Sequence, residues 1–288
     1  MNEYIFEFPK AWQFDMGTSI DDAVKLFSRN HQEVLDGIKF TVIKAVQGIN
    51  WGLSHIPWFI LILIIVFLGY RASKKLTVGI AYGAMLFFVG ACGLWEHMLQ
   101  TISLVIAAVT ISLVIGFPMG ILIAMSKRAD RVIRPILDLM QTMPAFVYLV
   151  PAVVLFSVGT MPALLATTIY SIVPMIRMTS HGIVHVDKEV HEAAIAFGST
   201  KIQALIKVQI PQALPTIMTG VNQTIMMAMS MVVTCAIIGA EGLGLEILLA
   251  TNRVEMGKAL LPGVSIVIIA IILDRLTQGL IKKSEVNE

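Results

Sequence analysis

Asp187–Pro215, DKEVHEAAIAFGSTKIQALIKVQIPQALP, is a water-compatible interruption in a chain otherwise dominated by long apolar runs. Asp187 suits a helix N-cap, because its carboxylate accepts from backbone N–H groups left free in the first turn. Val190, Ala193, Ala194 and Phe197 follow at i, i+3, i+4 and i+7, one apolar helical stripe with Lys188, His191 and Glu192 off it. Gly198 stands where a helix needs a residue tolerant of positive φ in order to stop. Ser199 or Thr200 can cap a second short helix with Ile202, Leu205 and Ile206 on one face. Pro211 and Pro215 then lack the N–H that a helix interior uses. The spacing predicts a helix–turn–helix elbow between two membrane spans. Its apolar face either rests on the bilayer surface or docks on a partner.

The surrounding composition agrees with a membrane setting. Of 288 residues 57% are hydrophobic and 14% charged, too apolar for an ordinary soluble domain. A net charge of +2 says nothing about nucleic acid, but no basic patch is interleaved with aromatics, and no nucleic-acid partner is expected. Cys92 and Cys235 lie far apart in apolar segments and read as free buried thiols. The first long apolar run begins near Ile56, and no cleavable leader is read ahead of it. The chain holds no G-x4-G-K-[ST] pattern, so it is expected to hydrolyse no nucleotide itself. No metal-ligand spacing and no cofactor motif is read.

Seven apolar segments are expected to span, near residues 55–70, 76–94, 98–125, 135–158, 162–180, 213–239 and 259–281. Ahead of them, Leu35, Ile38, Val42 and Ala45 form a stripe continuing to Val46 and Ile49, an amphipathic helix lying along the membrane. Trp51 and Trp58 suit an interface anchor. In the third segment Pro118 is expected to kink the helix, and Gly116 and Gly120 form a G-x-x-x-G pair that admits a close neighbour. Placing the elbow inside puts Arg71, Lys74, Lys75, Lys127, Arg128, Arg131 and Arg134 in inner connections. The opposite short connections, 95–97 and 159–161, hold no Lys or Arg. The positive-inside rule then orients the N-terminus outside and the C-terminus in the cytoplasm.

Ionisable groups within the expected spans are few. Asp138 is expected to pair with a loop base, Arg131 or Arg134, and no titratable relay appears at mid-depth, which counts against a proton-coupled mechanism. Gly239-Ala240-Glu241-Gly242-Leu243-Gly244 has the spacing G-x-x-G-x-G without a βαβ setting. It reads as a tight turn or re-entrant segment rather than a nucleotide loop. Trp95, Phe146, Tyr148, Phe156 and Tyr170 either pack helices or line a passage. Phe146, Tyr148 and Tyr170 are the candidates for a substrate pathway, since aromatic faces hold quaternary ammonium groups.

Glu192-Ala193-Ala194, Gly198 and Val208-Gln209-Ile210-Pro211 resemble the EAA loop of ABC importer permeases, E-A-A-x3-G-x9-I-x-L-P, with Val208 and Ile210 as conservative departures. Gln141–Ala152, Val173-Pro174-Met175-Ile176-Arg177 and Ile238–Gly244 look like permeases of the glycine betaine/proline betaine importers, with Glu241 departing where similar sequences often carry a small residue. The resemblance implies an all-α polytopic membrane protein, the MetI-like transmembrane domain of a type I ABC importer. It implies an external amphipathic tail at 1–54, two additional transmembrane helices at 55–97, a five-helix core at 98–282 with the coupling loop at 187–211, and a cytoplasmic tail at 283–288. Glu192, Ala193, Ala194, Gly198, Val208, Ile210 and Pro211 are its expected ATPase-coupling residues. The implied partners are cytoplasmic ABC ATPase subunits that bind ATP and Mg, a separate external substrate-binding protein, and a second permease copy in a homodimer within the bilayer of the cell membrane. The implied activity is import of betaine osmoprotectants by a non-catalytic subunit. The competing readings are an ion-gradient-driven secondary transporter and a membrane scaffold without transport.

Overall fold

The computed structural model describes residues 16–285, and every regular element among them is helical. The expected tail before Met16 and the residues 286–288 lie outside the described residues. In chain order the helices are α1 (Met16–Asn30), α2 (Gln32–Ser54), α3 (Trp58–Ser73), α4 (Leu76–Ala91), α5 (Trp95–Met125), α6 (Lys127–Thr142) and α7 (Phe146–Phe156). They continue as α8 (Thr160–Val184), α9 (Lys188–Ala196), α10 (Lys201–Ala204), a π turn (Leu205–Gln209), α11 (Ile210–Cys235), a 3-10 turn (Ala236–Ile238), α12 (Leu243–Asn252) and α13 (Met256–Glu285).

α5, α8 and α11 form the centre of the bundle, with α8 packed extensively against both others. Bringing helices together in lipid gains little from the hydrophobic effect, because acyl chains are as apolar as leucine. Close backbone approach must supply the attraction instead. Small residues provide it here. A Cβ added at Gly120 of α5 would sit 2.5 Å from Thr179 Cβ and 2.8 Å from the Ile176 carbonyl of α8, and one at Gly116 would lie 3.1 Å from Ile172 and Met175. The expected role of the G-x-x-x-G pair is thus the observed one. Gly220 on α11 meets Met178 and the Pro174 carbonyl of α8, and Gly182 on α8 meets Ala213 and Thr216 of α11. Among the buried hydroxyls, Ser112 Oγ and Ser171 Oγ lie 3.1 Å apart and Ser103 and Thr224 donate back to carbonyls one turn earlier, while Thr168 Oγ1 and Thr179 Oγ1 have no partner.

Four helical stretches are long and apolar enough to cross a membrane alone: Trp95–Met125, Thr160–Val184, Lys201–Ile238 and Met256–Gly279. Two further pairs qualify only together, and both are sharply bent: α2 with α3 at 92° and α6 with α7 at 100°. This gives four to six candidate spans where seven are expected from hydropathy. α4, with 16 residues, reaches only about 24 Å. The expected continuous span over 135–158 is broken because Pro144 forces its predecessor out of the helical region, and Met143 sits at φ −69, ψ 133. Pro118, by contrast, ends no element, and α5 runs through it for 31 residues. The expected amphipathic stripe lies on α2, where Val46 is buried and Val42, Ile49 and Leu53 pack on the bundle core. That part of the stripe is covered by protein, with α5 its main neighbour, while Ile38 and Ala45 are exposed.

Candidate functional site

The elbow begins two residues after the cap of α8. The Asp187 carboxylate accepts the Glu189 N–H at 2.8 Å, the expected cap. α9 ends with the Gly198 N–H on the Ile195 carbonyl at 2.9 Å and the Ser199 N–H on the Ala194 carbonyl at 3.0 Å. Gly198 itself sits at φ +89, where a Cβ would strain the backbone, although a Cβ there would meet no atom within 4 Å. Of the two alternative caps for the next helix, Thr200 is used. Its hydroxyl accepts from Gln203 N–H at 3.3 Å while the Gln203 side chain accepts from Thr200 N–H at 2.9 Å, a reciprocal box that Ser199 has no partner to close.

The second limb differs from expectation. It is not a short helix stopped by Pro211 but the start of one continuous helical stretch from Lys201 to Ile238. The π turn at Leu205–Gln209 widens the backbone just ahead of Pro211, so the proline ring escapes the carbonyl one turn back and its missing N–H is absorbed. Ile202, Leu205 and Ile206 do not share one environment either. Ala204 and Leu205 are buried, Leu205 among Ile183, Ala213 and Ile217 at the elbow end of the bundle, whereas Ile202 and Ile206 are exposed. Ala204, having no side chain beyond Cβ, lets the limb approach and carries Leu205 in with it.

No described side chain of α9 is buried. Val190 and Ile195 are exposed, Ala193 is exposed, Ala194 is half-buried, and Phe197 is 91% exposed. Glu192 and Pro211 are exposed, while Val208 and Ile210 are half-buried at the root of the second limb. The elbow is therefore an arm with a free apolar first limb and an anchored second limb. A cleft of about 640 Å³ separates it from the C-terminal ends of α5 and α8, lined by Met125, Val184, Ile195 and Gln209 among others.

The three aromatic candidates do not converge. Tyr148 is buried and its ring meets Tyr170 edge to face at 6.4 Å, but Phe146 is exposed at the start of α7. The Tyr148 hydroxyl donates to the Met140 carbonyl across the Met143–Ala145 bend, stapling α7 to α6. Asp138 takes a partner other than those expected. It binds Arg177 of α8, because Arg134 already donates to Asp130 one turn back at 3.0 and 2.7 Å. Arg177 was legible as a lone cation in the apolar run 162–180, which calls for a facing carboxylate.

At the other end, Gly239 at φ +79 and Gly242 at φ +111 make the expected tight turn. The turn is held on α5 by Leu243 N–H donating to Thr101 Oγ1 at 2.9 Å, and Glu241 accepts from Gln100 at 3.1 Å. His97 of α5 and Glu246 of α12 lie 3.6 Å apart beside it.

Residues 116–285 match a family described as binding-protein-dependent transport system inner membrane component. The glycine betaine transport system permease protein OpuAB of Bacillus subtilis is 44% identical over 263 residues, covering 91% of this chain and 92% of that protein. The glycine betaine/proline betaine transport system permease protein ProW of Escherichia coli is 44% identical over 246 residues, covering 85% of this chain and 69% of its own length. Among solved structures, an inward-facing MetNI methionine ABC transporter superposes with a TM-score of 0.60 at 20% identity, over 66% of this chain and 95% of that one, a likeness of fold.

Proposed function

The chain belongs to the family of binding-protein-dependent transport system inner membrane components, and from that premise we propose that it is the permease subunit of an ATP-driven importer of glycine betaine and proline betaine. The observation that carries the mechanism is α9, a helix with no buried side chain among those described, yet fixed at both ends by chemically specific caps. Such an arm has a reason to be ordered only if a partner covers it. We assign that partner as a cytoplasmic ABC ATPase subunit. Glu192, Ala193, Ala194 and Gly198 form the docking limb, where small alanines permit close approach and Gly198 sets the angle. Val208, Ile210 and Pro211 form the root that carries movement into α11. ATP and Mg bind on the ATPase, and this chain holds no cofactor.

The elbow then lies in the cytoplasm, the N-terminus outside and the C-terminus inside, in the cell membrane. An external binding protein delivers the solute, and a second copy of this chain completes the passage as a homodimer. Within the passage, Tyr148 and Tyr170 offer ring faces to a quaternary ammonium, which has no N–H to donate, and Phe146 stands at the bend.

Reconstitution tests this. In vesicles holding the permease, its Walker-motif ATPase and the binding protein, labelled glycine betaine should accumulate only when ATP is present on the elbow side. Accumulation by the permease alone, driven by an ion gradient, would replace the proposal with a secondary transporter.

A further inference from the structure

Resting on the permease reading above, we propose that the Asp138–Arg177 ion pair is the tie that makes the bent α6–α7 segment follow the elbow. Apolar packing of Ile133, Leu137 and Met140 on Ile172, Val173 and Ile176 holds α6 against α8, and two joints of fixed geometry add to it. One is the ion pair, between the last turns of α6 and the inner half of α8. The other is the Tyr148–Tyr170 ring contact, which reaches α6 through the hydroxyl staple on Met140. Together they close a circuit around the 100° bend: Arg177, Asp138, Met140, Tyr148, Tyr170 and back along α8. Arg177 is also eight residues before His185, the C-cap of α8 beside the elbow, so about 12 Å of unbroken helix links it to the coupling arm. Movement of α9 must pull Arg177, and through Asp138 it must pull the bend.

Three observations fit a joint that works rather than a static brace. Only one nitrogen of the guanidinium, Nη2, reaches Asp138, while Arg177 Nε is buried with no hydrogen-bond partner. A half-used fork with an orphaned donor is less stable than a two-pronged one, so a second arrangement with a better acceptor is within reach. A cavity of about 260 Å³ beside the pair, lined by Asp130, Arg134, Leu137, Arg177, His181 and His185, leaves room for that rearrangement. The side chains are 59% and 34% exposed for Asp138 and Arg177, so the pair can re-form without dragging a fully desolvated charge. Asp138 and Arg177 are thus positioning residues: they touch no substrate but set where the pathway aromatics stand.

The test uses the assembled transporter in vesicles and reads two quantities, ATP hydrolysis and betaine taken up per ATP. Asp138→Asn and Arg177→Gln should insert, bind the ATPase and hydrolyse ATP as wild type does, because the elbow is untouched. Uptake per ATP should fall about tenfold, the scale of coupling between contacting charges. The exchange Asp138→Arg with Arg177→Asp should restore it. Unchanged uptake per ATP in the neutral variants, or loss not rescued by the exchange, overturns the tie. Should Arg177→Gln fail to insert, Asp138→Asn decides alone, since Asp138 is the more open partner. Failure of wild type itself to couple uptake to ATP would instead overturn the permease reading.

Discussion

Gly198 offers a way to separate backbone strain from bulk at the elbow. It sits at φ +89 with no atom within 4 Å of a would-be Cβ, so in the free permease a side chain there meets only the conformational penalty. For alanine that penalty is about 1–2 kcal/mol, which lowers the population of the correctly angled elbow about five- to thirty-fold. Asparagine visits this region more readily and should lose less, and valine, β-branched, should lose more. Because no described side chain of α9 is buried, none of the three should change the thermal unfolding midpoint of the permease in detergent. The loss should appear as weaker binding of the ATPase and as proportionally lower ATP-driven uptake. The order Gly, Asn, Ala, Val in ATPase affinity is the expected result. Equal affinity across the series, or an order that follows side-chain volume with Asn worse than Ala, would refute the argument from φ.

Phe197→Ala should leave unfolding within about 0.5 kcal/mol of wild type, since the ring is 91% exposed, yet weaken ATPase binding by about 2 kcal/mol or more if the ring fills a pocket on the partner. A binding assay on detergent-purified protein separates the two. Gly120→Ala should destabilise by about 1–3 kcal/mol, because its Cβ would meet backbone and branched carbon of α8 at 2.5–2.8 Å. Gly116→Ala should cost less, since its contacts at 3.1 Å are with side chains that can yield; paired unfolding curves check the ranking. Asp274→Ala should cost about 1–3 kcal/mol, because it strips the Asn222 and Gln278 amides of the acceptor they share at 2.8 Å, and Asp274→Asn should cost less.

The elbow is legible in sequence because its turning points are chemically specific. An aspartate before an apolar stripe and a glycine eight residues after the stripe's first member each do one thing well at a helix end, and Ser199 or Thr200 offers the next cap. The G-x-x-x-G pair and the G-x-x-G-x-G turn are legible for the same reason: only glycine fits the gap or the angle. What the pattern hides is three-dimensional. Pro144 breaks its span while Pro118 and Pro211 do not, and the difference lies in whether neighbouring backbone can widen or be supported, which a single proline does not announce. Asp138 has Arg134 at helical spacing, and only the packing of α6 on α8 reveals that Arg134 is already engaged with Asp130. Likewise Leu205 and Ile206 are equally apolar, and the approach of Ala204 to the bundle decides which one is buried.

The unbroken run from Lys201 to Ile238 has a mechanical consequence. Its 38 residues make a continuous helical stretch about 57 Å long, interrupted in its regularity only by the π turn at Leu205–Gln209 and the 3-10 turn at Ala236–Ile238. At that far end the Ile238 carbonyl receives the Gly159 N–H at 2.8 Å, on the residue that caps α8. On the permease reading proposed above, a displacement at Thr200 would carry along this stretch to the end that holds Gly159. Unsealing one side and sealing the other would then be a single stroke observed from two ends, not two events that need to be synchronised.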